Sequence, residues 1–393
     1  MKKLLALLLV LVMAIGLIGC SSADEGFKVG FIFLHDENST YDLNFINAAK
    51  AACEELGVEY VAKTNIPESN ECYEAAADLA DAGCDVVFAD SFGHEQFILQ
   101  AAKEFTDVEF CHATGTMAHT EKLDNFHNAF ASIYEGRYLA GVAAGLKLNE
   151  MIAAGEFKAE EAKMGYVGAY TYAEVISGYT SFYLGAKSIV ENATMEVRYT
   201  NSWYDEAAEK TTALALIDNG CKLISQHADS WGAPTACEEK NIPNVSYNGS
   251  TEEKCPNTFI IASRINWAPY FEYIIDCVQN DKAIDTDWTG TIATGSVEIT
   301  ALGGAAAAGT QEKLDEVKKG LQDGTIKVFD CSTFTVEGKP LTSFIADVDD
   351  AGDFIPETEV VETANGITFV NESAKRSAPY FNIIIDGITA VTE

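Results

Sequence analysis

The sequence predicts an α/β protein built from two similar parallel-sheet lobes, and two observations carry that prediction. Short apolar, β-branched runs alternate with Ala-rich stretches of helical period, the order that builds parallel βαβ units. The same alternation then occurs a second time with a landmark in register. LADAGCDVVFADS at 79–91 matches LIDNGCKLISQHADS at 216–230, and Gly83-Cys84 corresponds to Gly220-Cys221. The 393 residues are enough for two domains with ample core.

Taken in order, residues 28–34 (KVGFIFL) read as a buried strand, 45–56 as a helix closed by Gly57, and 58–63 as a strand. Residues 72–82 read as a helix stopped at Gly83, 85–89 (DVVFA) as a strand, 96–105 as a helix and 108–113 as a strand. Residues 128–152, between the copies, carry a helix rich in Ala and Gly that can pack closely. The second copy opens at 163–169 (KMGYVGA), 135 residues after the first strand, and the offset at the Gly-Cys landmark is 137. It continues through a helix at 181–190, a strand at 195–199 and a helix at 207–218.

Beyond it follow a strand at 260–263, a helix at 270–279, a strand at 291–302, a helix at 311–322 and a strand pair at 326–329 and 334–336. The acidic stretch from Asp347 onward has no readable period. The expected division is 28–150 for lobe one, 151–264 for lobe two, a return to lobe one near 265–300, and 301–393 completing the lobes and ending in the acidic tail. A chain that returns in this way crosses between the lobes several times, which makes a multi-strand hinge.

Residues 1–19 stand apart as a leader. Lys2 and Lys3 precede an uncharged apolar run of sixteen residues at 4–19, short of the ~20 that span a bilayer comfortably. Leu17-Ile18-Gly19-Cys20, followed by Ser21-Ser22, resembles the lipobox of bacterial lipoproteins. The resemblance implies export, a diacylglycerol on Cys20, a tether over 20–27 and a lipid anchor in the bacterial cell membrane; cleavage without lipidation is the alternative. Sixty acidic against 26 basic side chains give a formal charge of −34. That excludes the basic footprint of a nucleic-acid binder and leaves the lipid as the only hold on an anionic bilayer. The nine other cysteines are odd in number and show no CxxC or Cys/His metal spacing, so neither a complete disulfide framework nor a zinc site is supported. Cys84, Cys111 and Cys221 lie in or beside apolar stretches and read as small buried hydrophobes.

Ligands of open parallel sheets sit outside the carboxyl ends of the strands. In the first copy that rule picks out His35, Asp36, Tyr41, Asn44 and Phe45, then Asp90, Ser91 and Phe92, then Thr114. In the second it picks out Tyr170, Tyr172 and Glu174, Trp203 and Asp205, His227, Asp229, Ser230 and Trp231, then Asn248, and finally Asn266 and Trp267. Aromatic faces with carboxamides and carboxylates suit a flat polar ring carrying hydroxyls: the faces stack, and the polar groups fix ring nitrogens or hydroxyls. Each residue has a structural alternative as well. Asp36 and Asp205 fit helix N-caps, Trp203 and Trp231 fit surface packing, Tyr41 and Phe45 at i, i+4 fit a core face, and His227 fits a hydrogen-bonded core histidine. The sequence has no Gly-x-Ser-x-Gly elbow, P-loop, dinucleotide fingerprint or His-Glu-x-x-His, so nothing in it asks for catalysis.

The lipobox, Asp36 with the Tyr41–Phe45 region, the segment FASIYEGRYLAG at 130–141 and Trp203-Tyr204-Asp205 together resemble the basic membrane protein family. These are substrate-binding lipoproteins of ABC transporters with the type I periplasmic-binding-protein fold, and several bind purine nucleosides. The likeness covers roughly 28–336, and its most specific part is Glu-Gly-x-Tyr-Leu-Ala-Gly. It implies a non-enzymatic receptor without a cofactor, whose partners are a nucleoside or purine base and a membrane permease. Nucleoside-binding members carry an Asp and a Lys that engage ribose, at places that here look like Asn248 and Asn266-Trp267. Asn can still bond a hydroxyl, while loss of the Asp–Lys pair leaves a free purine base or another flat heterocycle as competitor, and Trp267 would favour stacking; a sugar, on whose ring aromatic faces also stack, and a ligand sensor for a membrane receptor are the other readings.

Overall fold

The computed structural model describes residues 26–348 and 357–391; the leader, Cys20 and part of the acidic tail lie outside the described residues. Lobe one opens with β1 (Lys28–Ile32), α1 (Thr40–Leu56), β2 (Glu59–Lys63), α2 (Asn70–Asp81), β3 (Val86–Ala89), α3 (Glu95–Glu104), β4 (Glu109–Ala113), the short α4 (Ala118–Glu121) and β5 (Phe126–Ala131). Lobe two follows with α5 (Ile133–Ala153), β6 (Lys163–Gly168), α6 (Ala173–Lys187), β7 (Thr194–Tyr199), α7 (Glu206–Asp218), β8 (Leu223–His227), α8 (Gly232–Lys240), β9 (Asn244–Tyr247) and β10 (Phe259–Ile265). The chain then returns to lobe one with α9 (Ala268–Gln279) and β11 (Asp287–Gly290), and crosses back with β12 (Val297–Ile299) and α10 (Thr310–Gln322). Small hairpins precede a last strand, which is β19 (Ile388–Val391) once β13 (Thr335–Val336), β14 (Lys339–Pro340), β15 (Ile345–Ala346), β16 (Thr358–Glu359), β17 (Val361–Ala364) and β18 (Ile367–Val370) are counted.

Lobe one is a six-stranded sheet in the order β11-β5-β4-β3-β1-β2, with every pairing parallel. Lobe two is a seven-stranded sheet in the order β12-β10-β9-β8-β6-β7-β19, in which only β12 runs antiparallel to its neighbour. The internal repeat has a packing cause. Gly83 and Gly220 end their helices with φ of 82° and 89°, the left-handed region open to glycine. Each turn drops its cysteine onto a glycine of the lobe's first strand. A Cβ at Gly30 would lie 3.0 Å from Leu79 and 3.2 Å from Cys84, and one at Gly165 would lie 3.0 Å from Leu216 and 3.2 Å from Cys221. All nine described cysteines are buried and unbridged.

Several local expectations change. β5 and β11 have no apolar signature because they carry His127, Asn128 and Asp287, yet β5 is buried throughout. Its polar groups are satisfied within the lobe: Asn128 accepts from Ala118 N–H at 2.8 Å and donates to Glu95 at 3.0 Å, and His127 Nε2 meets Glu109 at 2.8 Å. The helix expected at 181–190 begins at Ala173, because α6 is buried almost all round and shows no clean stripe. Of the strand expected at 291–302 only Val297–Ile299 pairs, since 291–296 is a turn containing Gly295 at φ 81°. The pair expected at 326–329 and 334–336 does not form. Thr335–Val336 instead pairs with Lys339–Pro340, and Asp330 bridges Phe369. The acidic tail contributes β19, parallel to β7.

Three crossings join the lobes, at Ser132, at Asn266 and at 291–296, and they are tied to one another. Ser132 N–H donates to Gly290 O at 2.8 Å, Asn266 N–H to Ser296 O at 2.8 Å, and Ile292 N–H to the Glu135 carboxylate at 2.8 Å. Burial pushes that carboxyl up to about 7. The glycines after Glu135 let backbones touch: a Cβ on Gly141 would collide with the Phe182 carbonyl of α6, and one on Gly185 with the Tyr138 carbonyl of α5. Gly141→Ala should therefore lower the urea midpoint. The overpacking cost of ~1–3 kcal/mol exceeds the gain in helix propensity of at most about 1 kcal/mol. A midpoint that stays level or rises would show that α5 and α6 can part without cost.

Candidate functional site

Between the carboxyl ends of the two sheets lies a cleft whose walls come from both lobes. The lobes stand close together across it. Lobe one supplies Leu34, His35, Tyr41, Asp42, Ser91, Phe92 and Thr114; lobe two supplies Glu174, Trp203, His227, Asp229 and Tyr247. The lobes also touch directly. Thr40 donates its N–H and its Oγ1–H to Asp229 O at 3.0 and 3.1 Å, and Asn44 Nδ2 donates to Ile265 O at 2.6 Å.

The first turn of α1 builds one wall. Ser39 caps the helix, accepting from Asp42 N–H at 3.2 Å and donating its hydroxyl to Asp42 Oδ2 at 2.6 Å. His35 reaches the same carboxylate with its N–H at 2.7 Å and with Nδ1 at 3.3 Å. Burial alone would raise Asp42, and these donors reverse it, holding the carboxyl below its usual range. Tyr41 donates to Asp90 O at 2.7 Å, and Ser91 is held by Glu68 at 2.6 Å and by His112 Nε2 on its carbonyl at 2.7 Å. Thr114 ends β4 in the left-handed region at φ 66°, a position rare for a β-branched residue.

The opposite wall is aromatic and acidic. Trp203 meets Tyr170 edge-on at 5.0 Å, Tyr170 stacks on Tyr172 at 5.1 Å, and Tyr172 meets Phe92 of lobe one at 5.3 Å. Asp229 has Asn248 Nδ2 at 3.5 Å as its side-chain partner. Burial, then the charges of Asp42, Glu209 and Glu174, push its carboxyl well above the carboxylate range. His227 Nε2 lies 3.3 Å from Glu174, and burial holds the imidazole below its usual range and neutral.

Nine of the twenty-one residues picked out at strand ends line this cleft: His35, Tyr41, Ser91, Phe92, Thr114, Glu174, Trp203, His227 and Asp229. The others stand elsewhere for identifiable reasons. Trp267 is 1% exposed and stacks on Phe45 at 4.4 Å inside lobe one, so neither ring is a platform in the cleft. Trp231 starts α8 with its ring beneath the Lys254 ammonium at 4.2 Å. Asn266 sits in the hinge, donating to Gly295 O at 3.2 Å. Asp36 closes a turn on Asn38 at 3.0 Å, and Asn44 makes the lobe-to-lobe bond given above. Asn248 and Tyr170 stand behind Asp229 and Trp203. Asp90 is fully buried behind Tyr41, accepting Leu34 N–H at 3.1 Å, with its carboxyl pushed far up by burial and by Asp42. Leu34, Asp42 and Tyr247 escaped the sequence reading. Asp42 was findable, since Ser39-x-x-Asp42 is an N-cap signal that brings the carboxylate to the mouth of the first strand.

The raised Asp229 carboxyl has a consequence for stability. Above the unfolded value of 3.8 the unfolded chain loses this proton while the folded chain keeps it, so the group destabilises the fold increasingly as pH rises. Asp229→Asn should raise the melting temperature of the ligand-free protein at pH 8 and change it little at pH 4. An equal change at both pH values would rule out burial of a protonated carboxyl here.

The comparisons agree with this architecture. The model of the family described as ABC transporter substrate-binding protein, PnrA-like, matches residues 33–328. A purine-binding protein of Brucella abortus is 34% identical over 64% of this chain and 69% of its own length. An ABC transporter nucleoside-binding protein of Lactococcus lactis is 25% identical over 59% of this chain and 66% of its own. A solved solute-binding protein of an ABC transporter system from Aeropyrum pernix superposes with a TM-score of 0.66 at 18% identity, covering 77% of this chain and 93% of its own. One from Conexibacter woesei gives 0.62 at 18% identity, covering 77% and 98%. With its two parallel-sheet lobes, its hinge and its cleft, the chain belongs to the Bmp family of PnrA-like ABC transporter substrate-binding proteins, whose role outside the cytoplasm is to bind solute rather than to catalyse.

Proposed function

We propose that this chain is the lipid-anchored solute receptor of an ABC importer, that it captures a purine nucleoside between its lobes, and that it hands the nucleoside to a membrane permease. The observation that carries the reading is the pairing, in one narrow cleft, of an aromatic wall around Trp203 with the carboxyl groups of Asp42, Glu174 and Asp229. An indole face stacks on a heterocycle, and carboxyl groups take ring N–H groups or ribose hydroxyls. The relative named as purine-binding supports the class of ligand. Closure brings Thr40 onto Asp229 O, so a ligand lodged between α1 and β8 favours the closed form, whose joined face the permease would read. A free purine base is the second reading, favoured because the described residues lining the cleft include no Lys or Arg and Asn266 sits in the hinge.

A thermal-shift screen of the chain from Ser21 onward against nucleosides, free bases and sugars tests this, since a ligand of the folded state raises the melting temperature by mass action. Purine nucleosides should stabilise it; stabilisation by bases alone would favour the second reading, and by sugars alone would sink both. Trp203→Ala should weaken nucleoside binding by ~1–3 kcal/mol. Trp267→Ala should instead cost ~3–5 kcal/mol of stability while leaving the affinity of the folded fraction intact. Equal losses of affinity in both variants would contradict the placement of the two rings.

A further inference from the structure

Arg137 is fully buried on α5, and its guanidinium contacts no carboxylate among the described residues. It lies 4.6 Å from the Tyr247 ring centroid and 5.3 Å from that of Tyr166, and it donates to Gln226 O at 2.9 Å and to the Tyr166 hydroxyl. A chain of hydrogen bonds leads from it to the cleft. The Tyr166 hydroxyl is 3.4 Å from His227 Nδ1, and His227 Nε2 is 3.3 Å from Glu174 Oε1. The donor inventory gives this chain one direction. Arg137 can only donate, so it occupies the Tyr166 oxygen, and the Tyr166 hydrogen is left for His227 Nδ1. The imidazole proton therefore sits on Nε2 and points at Glu174, an assignment that comes from the network.

The ring has little freedom to turn. Gly178 of α6 packs on it so closely that a Cβ there would lie 2.6 Å from Nδ1, and Tyr247 covers it with centroids 4.6 Å apart. The charged and titratable groups facing His227 are Glu174 from α6, Arg137 from α5, Tyr166 from β6 and Tyr247 from β9. Burial keeps the imidazole neutral, as an acceptor at Nδ1 requires.

We propose that Arg137 is a specificity-determining positioning residue. Acting through Tyr166 and His227, it holds Glu174 as a hydrogen-bond acceptor on the cleft wall, so that the site selects a ligand presenting an exocyclic amine or ring N–H there. Arg137 does not line the cleft; Glu174 and His227, at the end of the hydrogen-bond chain, do. The choice of ligand rests on the nucleoside reading above; the direction of the hydrogen-bond chain does not.

Two measurements on the full chain test this. In 15N-histidine NMR of the ligand-free protein, His227 should show a single neutral tautomer protonated at Nε2, and Tyr166→Phe should mix the tautomers. By titration calorimetry, adenosine should bind at least about tenfold tighter than purine riboside, which lacks only the exocyclic amine. Tyr166→Phe should erase most of that preference. Arg137→Lys, which keeps the charge and loses the fork of donors, should fall between the two. A wild-type proton on Nδ1 overturns the proposal, as does an adenosine preference that survives Tyr166→Phe. If neither nucleoside binds, the ligand reading and the selection proposed from it both fail, and the tautomer result alone decides the hydrogen-bond chain.

Discussion

Confining several carboxyl groups in one nearly closed cleft is the constraint on which the rest of this structure depends. Asp42, Glu174 and Asp229 line the same narrow space, with Asp90 one layer behind, and like charges at low dielectric repel strongly. Each is accommodated differently. Asp42 stays ionised because the α1 cap and His35 surround it with donors. Asp229 and Asp90 are pushed toward the neutral form. Glu174 leans on a histidine whose far side is tied to a buried guanidinium. The cleft thus sets an Asp42 carboxylate, held below its usual range by its donors, opposite an Asp229 carboxyl that burial pushes up. Functional sites commonly hold such destabilising arrangements, and the rigid sheets on either side supply the compensating stability.

The segment at 135–141 lies behind this cleft rather than in it. Glu135-Gly136-Arg137-Tyr138-Leu139-Ala140-Gly141 does not line the cleft; it forms the first turns of α5, where the chain leaves lobe one. Glu135 secures a second crossing, the glycines let α5 lie against α6, and Arg137 extends under the cleft floor. Hydrogen bonds tie the three crossings to one another, from Ser132 to Gly290, from Asn266 to Ser296 and from Ile292 to Glu135. Across the cleft the lobes meet where Thr40 donates to Asp229 O.

The two lobes are related but not equivalent. Asp90 and Asp229 follow corresponding strands and are both buried, yet Asp90 is screened from the cleft by Tyr41 while Asp229 faces it. Lobe two is also enlarged at both edges, by β12 and by β19. Residues beyond the family-matched part contribute contacts of their own: Ser377 bonds Asp287 of lobe one at 2.9 Å, and Glu372 bonds Ser177 of lobe two. The C-terminal segment therefore touches both lobes before it ends in the sheet of the second.

Read by itself, the sequence determined the lobe class, the internal repeat and most helices and strands of the repeated units. These follow from local period and from glycines at helix ends, both properties of a few neighbouring residues. It also picked out the strand ends, and hence Tyr41, Phe92, Trp203 and Asp229, because topology alone sends those positions to the cleft. Tertiary structure decided the rest. β5 and β11 carry buried or half-buried polar residues, and β11 and β19 pair with strands far back in the chain, so no local periodicity marks them. Trp267 and Trp203 are both aromatic residues placed just after a strand; one fills lobe one and the other faces the cleft, because α9 returns to lobe one and carries Trp267 inward against Phe45. Which way a side chain points at a crossing depends on where the chain goes next, and that is set by packing between elements hundreds of residues apart.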